Sequence, residues 1–222
     1  MPPGTKIFDF SWMFGHLDQI WVRIVQHLQL TVIPLALGIV IALILAIIAM
    51  RRPGTYGPIT AVTGLLYTIP SLAAFAFLGS IYGLSLLTAI IPLTTYTLLI
   101  LFRNFIAGFN AVPAEILEAA EGMGYTRRQR FLRVELPLAV PLIIAGIRLT
   151  SVTTIGLATV AAVLGDPFGG LGQLITEGIQ SFFPTKYLLG AILSVLLAIA
   201  ADLLFVWFER FITPWARARV VR

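Results

Sequence analysis

Few side chains in this sequence can do chemistry. Its 222 residues include no cysteine and only two histidines, His16 and His27, both near the N-terminus. Without thiols there is no disulfide, no thiolate metal site and no cysteine nucleophile. Two histidines with no cluster of carboxylates around them support no metal centre. What remains is a scatter of charges and rings inside apolar stretches. Arg148 and Asp202 each lie within a long apolar run. A charge at membrane depth is costly and is usually held by a partner, so the two read as a structural ion pair or as charges snorkelling towards the interface, with a place in a gate or pathway as the alternative. Tyr67, Tyr82 and Tyr96 offer aromatic faces that attract a quaternary ammonium. Packing is the commoner duty of a membrane tyrosine. Pro70 frees a backbone carbonyl near Ser71, through a packing kink or for a substrate contact. None of these residues forms a catalytic constellation, and no covalent chemistry is expected of the chain.

A denser group lies between two apolar runs. Residues 112–124 read Val-Pro-Ala-Glu-Ile-Leu-Glu-Ala-Ala-Glu-Gly-Met-Gly. Pro113 suits a first helical turn. Glu115, Glu118 and Glu121 favour the start of a short helix through its dipole. Gly122 and Gly124 stop it. Thr126 and Gln129 form a capping box that opens a second, basic helix, predicted to end before Pro137. Helix, glycine break, basic helix and proline entry make a folded feature suited to docking on a partner.

These residues need elements to hold them. Hydrophobic residues make up 59% of the chain and charged residues 11%, against about 25% charged in ordinary soluble domains. The apolar runs are continuous and about 20 residues long, which predicts an all-α integral membrane protein and excludes a membrane barrel. Five spans are predicted, over residues 28–50, 57–80, 84–107, 138–164 and 187–208. Arg51 and Arg52 follow the first. Arg127, Arg128, Arg130 and Arg133 lie between the third and fourth, and Arg210, Arg217, Arg219 and Arg222 follow the fifth. Lys6, Arg23 and Lys186 fall on the opposite side. That asymmetry places the N-terminus outside and the C-terminus in the cytoplasm. It also explains the net charge of +5 without nucleic acid. Residues 1–27 carry Asp9, Asp18 and Arg23 and do not read as a cleavable signal. Leu17, Trp21, Ile24 and Leu28 recur at helical steps, predicting either an interfacial helix over residues 11–28 or a lead-in to the first span. The domain plan is an external or interfacial segment 1–27, a transmembrane domain 28–209 with a cytoplasmic loop 110–137, and a cytoplasmic tail 210–222. Gly165, Gly169, Gly170 and Gly172 around Asp166 and Pro167 read as turns of an outer loop.

The cytoplasmic loop resembles the EAA loop of ABC importer permeases. Glu118-Ala119-Ala120, three residues, Gly124, nine residues and Val134-Glu135-Leu136-Pro137 match that pattern, with Val134 in place of isoleucine. Thr68-Ile69-Pro70-Ser71-Leu72-Ala73, Arg103-Asn104, Ala145-Gly146-Ile147-Arg148 and Gly169-Gly170-Leu171-Gly172 are similar to the branch that imports glycine betaine, choline and carnitine. Methionine and other amino-acid permeases share the EAA loop. The resemblance implies a five-span type I permease core of the cytoplasmic membrane. It implies a coupling loop in which Glu115, Glu118, Ala119, Ala120, Gly122, Gly124, Leu136 and Pro137 serve an ATPase subunit. It also implies a second permease subunit, surrounding lipid, an extracytoplasmic substrate-binding protein, and ATP with Mg on the partner ATPase. The chain has no G-x-x-x-x-G-K-[ST] loop of its own, so it is not expected to hydrolyse ATP. A secondary transporter would leave the EAA spacing unexplained, and a membrane enzyme would call for more charge at membrane depth.

Overall fold

The computed structural model describes residues 7–165 and 168–214. Asp166, Pro167, Lys6 and the tail residues Arg217, Arg219 and Arg222 lie outside them. Every regular element among the described residues is helical. Short α1 (Phe10–Gly15) leads to α2 (Leu17–Arg51). A helical pair follows, α3 (Tyr56–Thr68) and α4 (Ser71–Tyr82), and then α5 (Leu86–Asn110). The loop contains α6 (Ala114–Gly122) and α7 (Arg127–Arg130), and a π-helical turn over Phe131–Glu135 joins α7 to α8 (Leu136–Ala158). A 3-10 segment, Thr159–Leu164, closes α8. Then come α9 (Gly170–Gln180) and α10 (Pro184–Ile212).

α5 is the central helix, and α2 and α8 pack along its two sides. The α2 face that meets it carries Gly38, Ala42 and Ala46 at four-residue steps. Small residues at that spacing let two backbones approach where no hydrophobic force drives helices together. Ala42, Ala46 and Ala49 pack on Leu98, Leu101, Phe102 and Phe105 of α5. A second cluster joins Leu30, Phe75, Ala89, Leu93, Ala158, Ala161 and Leu164. Four buried hydroxyls in these helices turn back on their own backbone. Thr31 donates to the His27 carbonyl at 2.9 Å, Thr97 to Thr94 at 2.7 Å, Thr150 to Gly146 at 2.8 Å and Thr154 to Thr150 at 2.7 Å. In lipid each polar group must find a partner inside the protein, and these threonines find the nearest carbonyl.

Several expectations are corrected. The predicted second span, 57–80, is broken: the axes of α3 and α4 meet at 88°. Ile69 and Pro70 are extended, with ψ of 125° and 129°, because the proline ring disfavours helical geometry in the residue before it. At 1.5 Å per residue the two pieces are about 20 and 18 Å long, too short to cross about 30 Å of hydrocarbon singly. Four helices are long and apolar enough to cross, or up to five if the bent pair counts as one span. Residues 11–28 follow the lead-in alternative and form no separate helix, since α1 stops at Gly15 and α2 runs unbroken from Leu17 into the first span. α1 is instead tied to the start of α10. The Asp9 N–H donates to Thr185 Oγ1 at 2.9 Å, and the Trp12 ring meets Phe183 edge-on.

The outer loop is also more than turns. Gly170–Gln180 forms α9, which packs on α10, α2 and the 3-10 segment. A Cβ on Gly172 would stand 2.1 Å from the Thr159 carbonyl oxygen, so this glycine serves close approach.

Candidate functional site

The loop between α5 and α8 folds largely as its residues dictate. Pro113 caps α6 with extended backbone, and Glu115 occupies the first turn. At the other end Tyr125 N–H reaches the Ala120 carbonyl at 3.1 Å and Gly124 N–H reaches Glu121 at 2.9 Å. That pair of bonds is a Schellman closure, and it requires the left-handed φ of +77° found at Gly124. Gly122 is an ordinary last helical residue, so Gly124 alone makes the stop. Thr126 then caps α7 through the expected box: its Oγ1 accepts from Gln129 N–H at 3.3 Å, and Gln129 Oε1 accepts from Thr126 N–H at 2.9 Å.

The basic helix does not end before Pro137. It runs through the π turn directly into α8, and Pro137 sits in the first turn of α8. In a regular helix the proline ring would clash with the carbonyl four residues back. Here Leu136 N–H bonds five residues back, to Phe131. The extra residue widens the turn ahead of the proline. Leu136 and Pro137 therefore belong to the foot of a long helix.

Glu115, Glu118 and Ala119 are exposed, on a surface free to meet a partner. Ala120 is not: it is 1% exposed and faces the chain's own interior. Its small size serves the packing of α6 on its own chain. Arg130 was not singled out in the sequence. Its Nε donates to Glu135 at 2.7 Å and its Nη1 pairs with Glu121, so one guanidinium joins the end of α6 to the foot of α8.

The tyrosines and the proline converge at the break between α3 and α4. Tyr96, buried on α5, donates its hydroxyl to the Ile69 carbonyl at 2.8 Å, taking up an acceptor that the break leaves free. Tyr67 stands edge-on to the Tyr96 ring at 6.2 Å, and Pro70 and Ser71 open α4 beside them. Tyr82 is exposed at the far end of α4. Arg148 and Asp202 pair as expected from their cost at depth. Arg148 Nε meets Asp202 Oδ1 at 2.9 Å and Nη2 meets Oδ2 at 3.1 Å, a two-point contact between α8 and α10. Glu209 stands 3.5 Å from the same guanidinium.

His27 is the other residue that sequence reasoning passed over. It is fully buried, accepts from Leu171 N–H through Nδ1 at 3.3 Å, and meets the Ile155 carbonyl through Nε2 at 3.1 Å. Nδ1 accepts, so Nε2 carries the proton and donates. One imidazole thus fastens α2, α8 and α9. Its only signal in the sequence is an ionisable side chain at the edge of an apolar run.

Residues 24–214 match the family described as the binding-protein-dependent transport system inner membrane component. The chain belongs to that family. It is a permease subunit of an ABC importer. It is 37% identical over 212 residues to the carnitine transport permease protein OpuCB of Listeria monocytogenes, covering 95% of this chain and 94% of that one. It is 34% identical over 195 residues to the choline transport system permease protein OpuBB of Bacillus subtilis (strain 168), covering 88% and 89%. Among solved structures, the permease fold of the MetNI methionine ABC transporter in an inward-facing conformation superposes with a TM-score of 0.77 at 24% identity, over 92% of this chain and all of that one. At that identity the likeness shows the shared fold.

Proposed function

We propose that this permease imports a quaternary-amine osmoprotectant of the glycine betaine, choline or carnitine class. The supporting observation is the near full-length similarity to permeases named for choline and carnitine. In this reading the N-terminus is external and the C-terminus cytoplasmic. An ATPase subunit, which holds ATP and Mg, docks on the exposed face of α6 that carries Glu115, Glu118 and Ala119. A second permease subunit completes the pathway, and an extracytoplasmic binding protein delivers the solute. Closure of the ATPase pair draws the two loops together and opens the pathway outward. Such coupling needs α6 to fit the two ATPase states differently. Tyr67, Pro70, Ser71 and Tyr96, gathered at the α3–α4 break, are the residues proposed for the pathway or gate. The Arg148–Asp202 pair stiffens α8 against α10.

The test is uptake by proteoliposomes that hold the permease, its ATPase and its binding protein. Labelled glycine betaine, choline and carnitine are compared with methionine. ATP-dependent entry of at least one quaternary amine is expected. Entry of methionine alone would replace the substrate class. Entry without the ATPase would mark a secondary transporter.

A further inference from the structure

The loop contains a mechanical problem. α6 is the element proposed to receive the ATPase, yet it joins α7 only through the short turn 123–126, whose pivot is Gly124 at φ +77°. A helix hung on such a turn can swivel under load and leave the spans where they were. The remaining contacts decide whether it does. Arg127, Arg128 and Arg133 are exposed and form no ion pair among the described residues. Arg130 differs from them. Its side chain is 25% exposed, Glu135 is 12% exposed, and Glu121 is 60% exposed. The guanidinium uses two separate edges, Nε toward Glu135 and Nη1 toward Glu121. Next to it Phe131 stacks on Phe109 of α5 at 5.6 Å, which fixes the base of the joint. Beyond Glu135 the π turn passes without interruption into α8.

We infer that Arg130 is a positioning residue for energy coupling: by holding Glu121 and Glu135 at once it makes α6 and α8 move as one body. This inference rests on the proposed docking of the ATPase on α6. An ammonium is a compact point charge without the two fixed edges by which the planar fork reaches two separated carboxylates. Lysine is therefore a partial substitute and glutamine no substitute.

The test uses the whole importer, reconstituted with its ATPase and binding protein. Three quantities are read: ATPase retained on purification, basal ATP hydrolysis, and solute imported per ATP hydrolysed. With Arg130→Gln, retention and basal hydrolysis are expected to stay within twofold of the native complex, while solute imported per ATP falls at least tenfold. Arg130→Lys should lie between. The Arg130→Gln, Glu121→Gln double variant should be no worse than Arg130→Gln alone, because residues acting as one unit are not additive. Native solute per ATP in Arg130→Gln overturns the inference. So does loss of ATPase retention in that variant, since Arg130 would then shape docking and not transmission. If Arg130→Gln fails to accumulate, Glu121→Gln decides. Its carboxylate is largely in solvent, so folding does not depend on it, and native coupling there also overturns the joint. Failure of the unaltered chain to retain any ATPase would instead remove the docking reading itself.

Discussion

Gly124 has room for a side chain but a backbone that rejects one. No atom lies within 4 Å of the place a Cβ would take, while φ is +77°. Left-handed backbone costs an L residue about 1–2 kcal/mol, and Asn and Asp tolerate it best. Gly124→Val is therefore expected to impair solute uptake and Gly124→Asn to spare most of it, with membrane levels unchanged in both, as immunoblotting and uptake assays would register. Equal uptake in the two variants would mean that the left-handed turn is irrelevant to coupling. Charge at depth gives a second residue-level expectation. Asp202→Ala leaves Arg148 with only the longer contact to Glu209. Breaking a buried pair costs about 3–5 kcal/mol, and less where an arginine snorkels toward the interface. Thermal unfolding of the purified complex should show Arg148→Ala added to Asp202→Ala recovering part of that loss. Additive losses would mean the pair is not coupled. Both residue sites were legible because glycine geometry and the cost of a charge in lipid are local properties. Arg130 was not, because four arginines close together look alike until the fold brings carboxylates to one of them.

Element boundaries followed local chemistry where caps and prolines stood in the open, as at Pro113 and Thr126. α9 is hidden in the sequence because its glycines read as turns. Leu171, Leu174, Ile175 and Ile179 recur at three- and four-residue steps, so a helical signal was present beneath them. Those glycines answer to neighbours distant in sequence, which no local pattern reports. A Cβ at Gly172 would drive into the backbone of the 3-10 segment, which has no rotamer with which to give way. Gly172→Ala is expected to cost about 1–3 kcal/mol by overpacking. Gly122→Ala, at a helical site with open space, should be neutral or slightly stabilising. Comparing the melting temperatures of the two complexes checks this, and equal values would mean that α9 is not pressed against Thr159. The joining of α7 to α8 was missed for a related reason. Pro137 reads as a helix stop unless a widened turn precedes it, and that widening is a backbone adjustment with no residue type of its own.

At the scale of the whole molecule, composition alone separated lipid from water as the solvent, because apolar runs of this length have no other stable home. The span count was less legible, since hydropathy does not register the 88° break between α3 and α4. The proposed orientation rests on the arginines, and it predicts that a reporter enzyme fused after Arg222 is active in the cytoplasm and inactive outside. Activity on the outer side would require an even number of crossings or the opposite insertion. The inward-turned threonines have a consequence for how such a molecule moves. Thr97 on α5 and Thr150 and Thr154 on α8 spend their hydroxyls on carbonyls of their own helices. Directional ties between elements lie elsewhere, among them those at His27, Tyr96, Arg148 and the Arg130 joint. Between α2 and α5, alanine packs on leucine and phenylalanine through dispersion contacts that have no preferred angle. A slip between α2 and α5 would therefore cost packing contacts but none of those threonines' hydrogen bonds, whereas a slip at His27, Tyr96, Arg148 or Arg130 would break a directional tie.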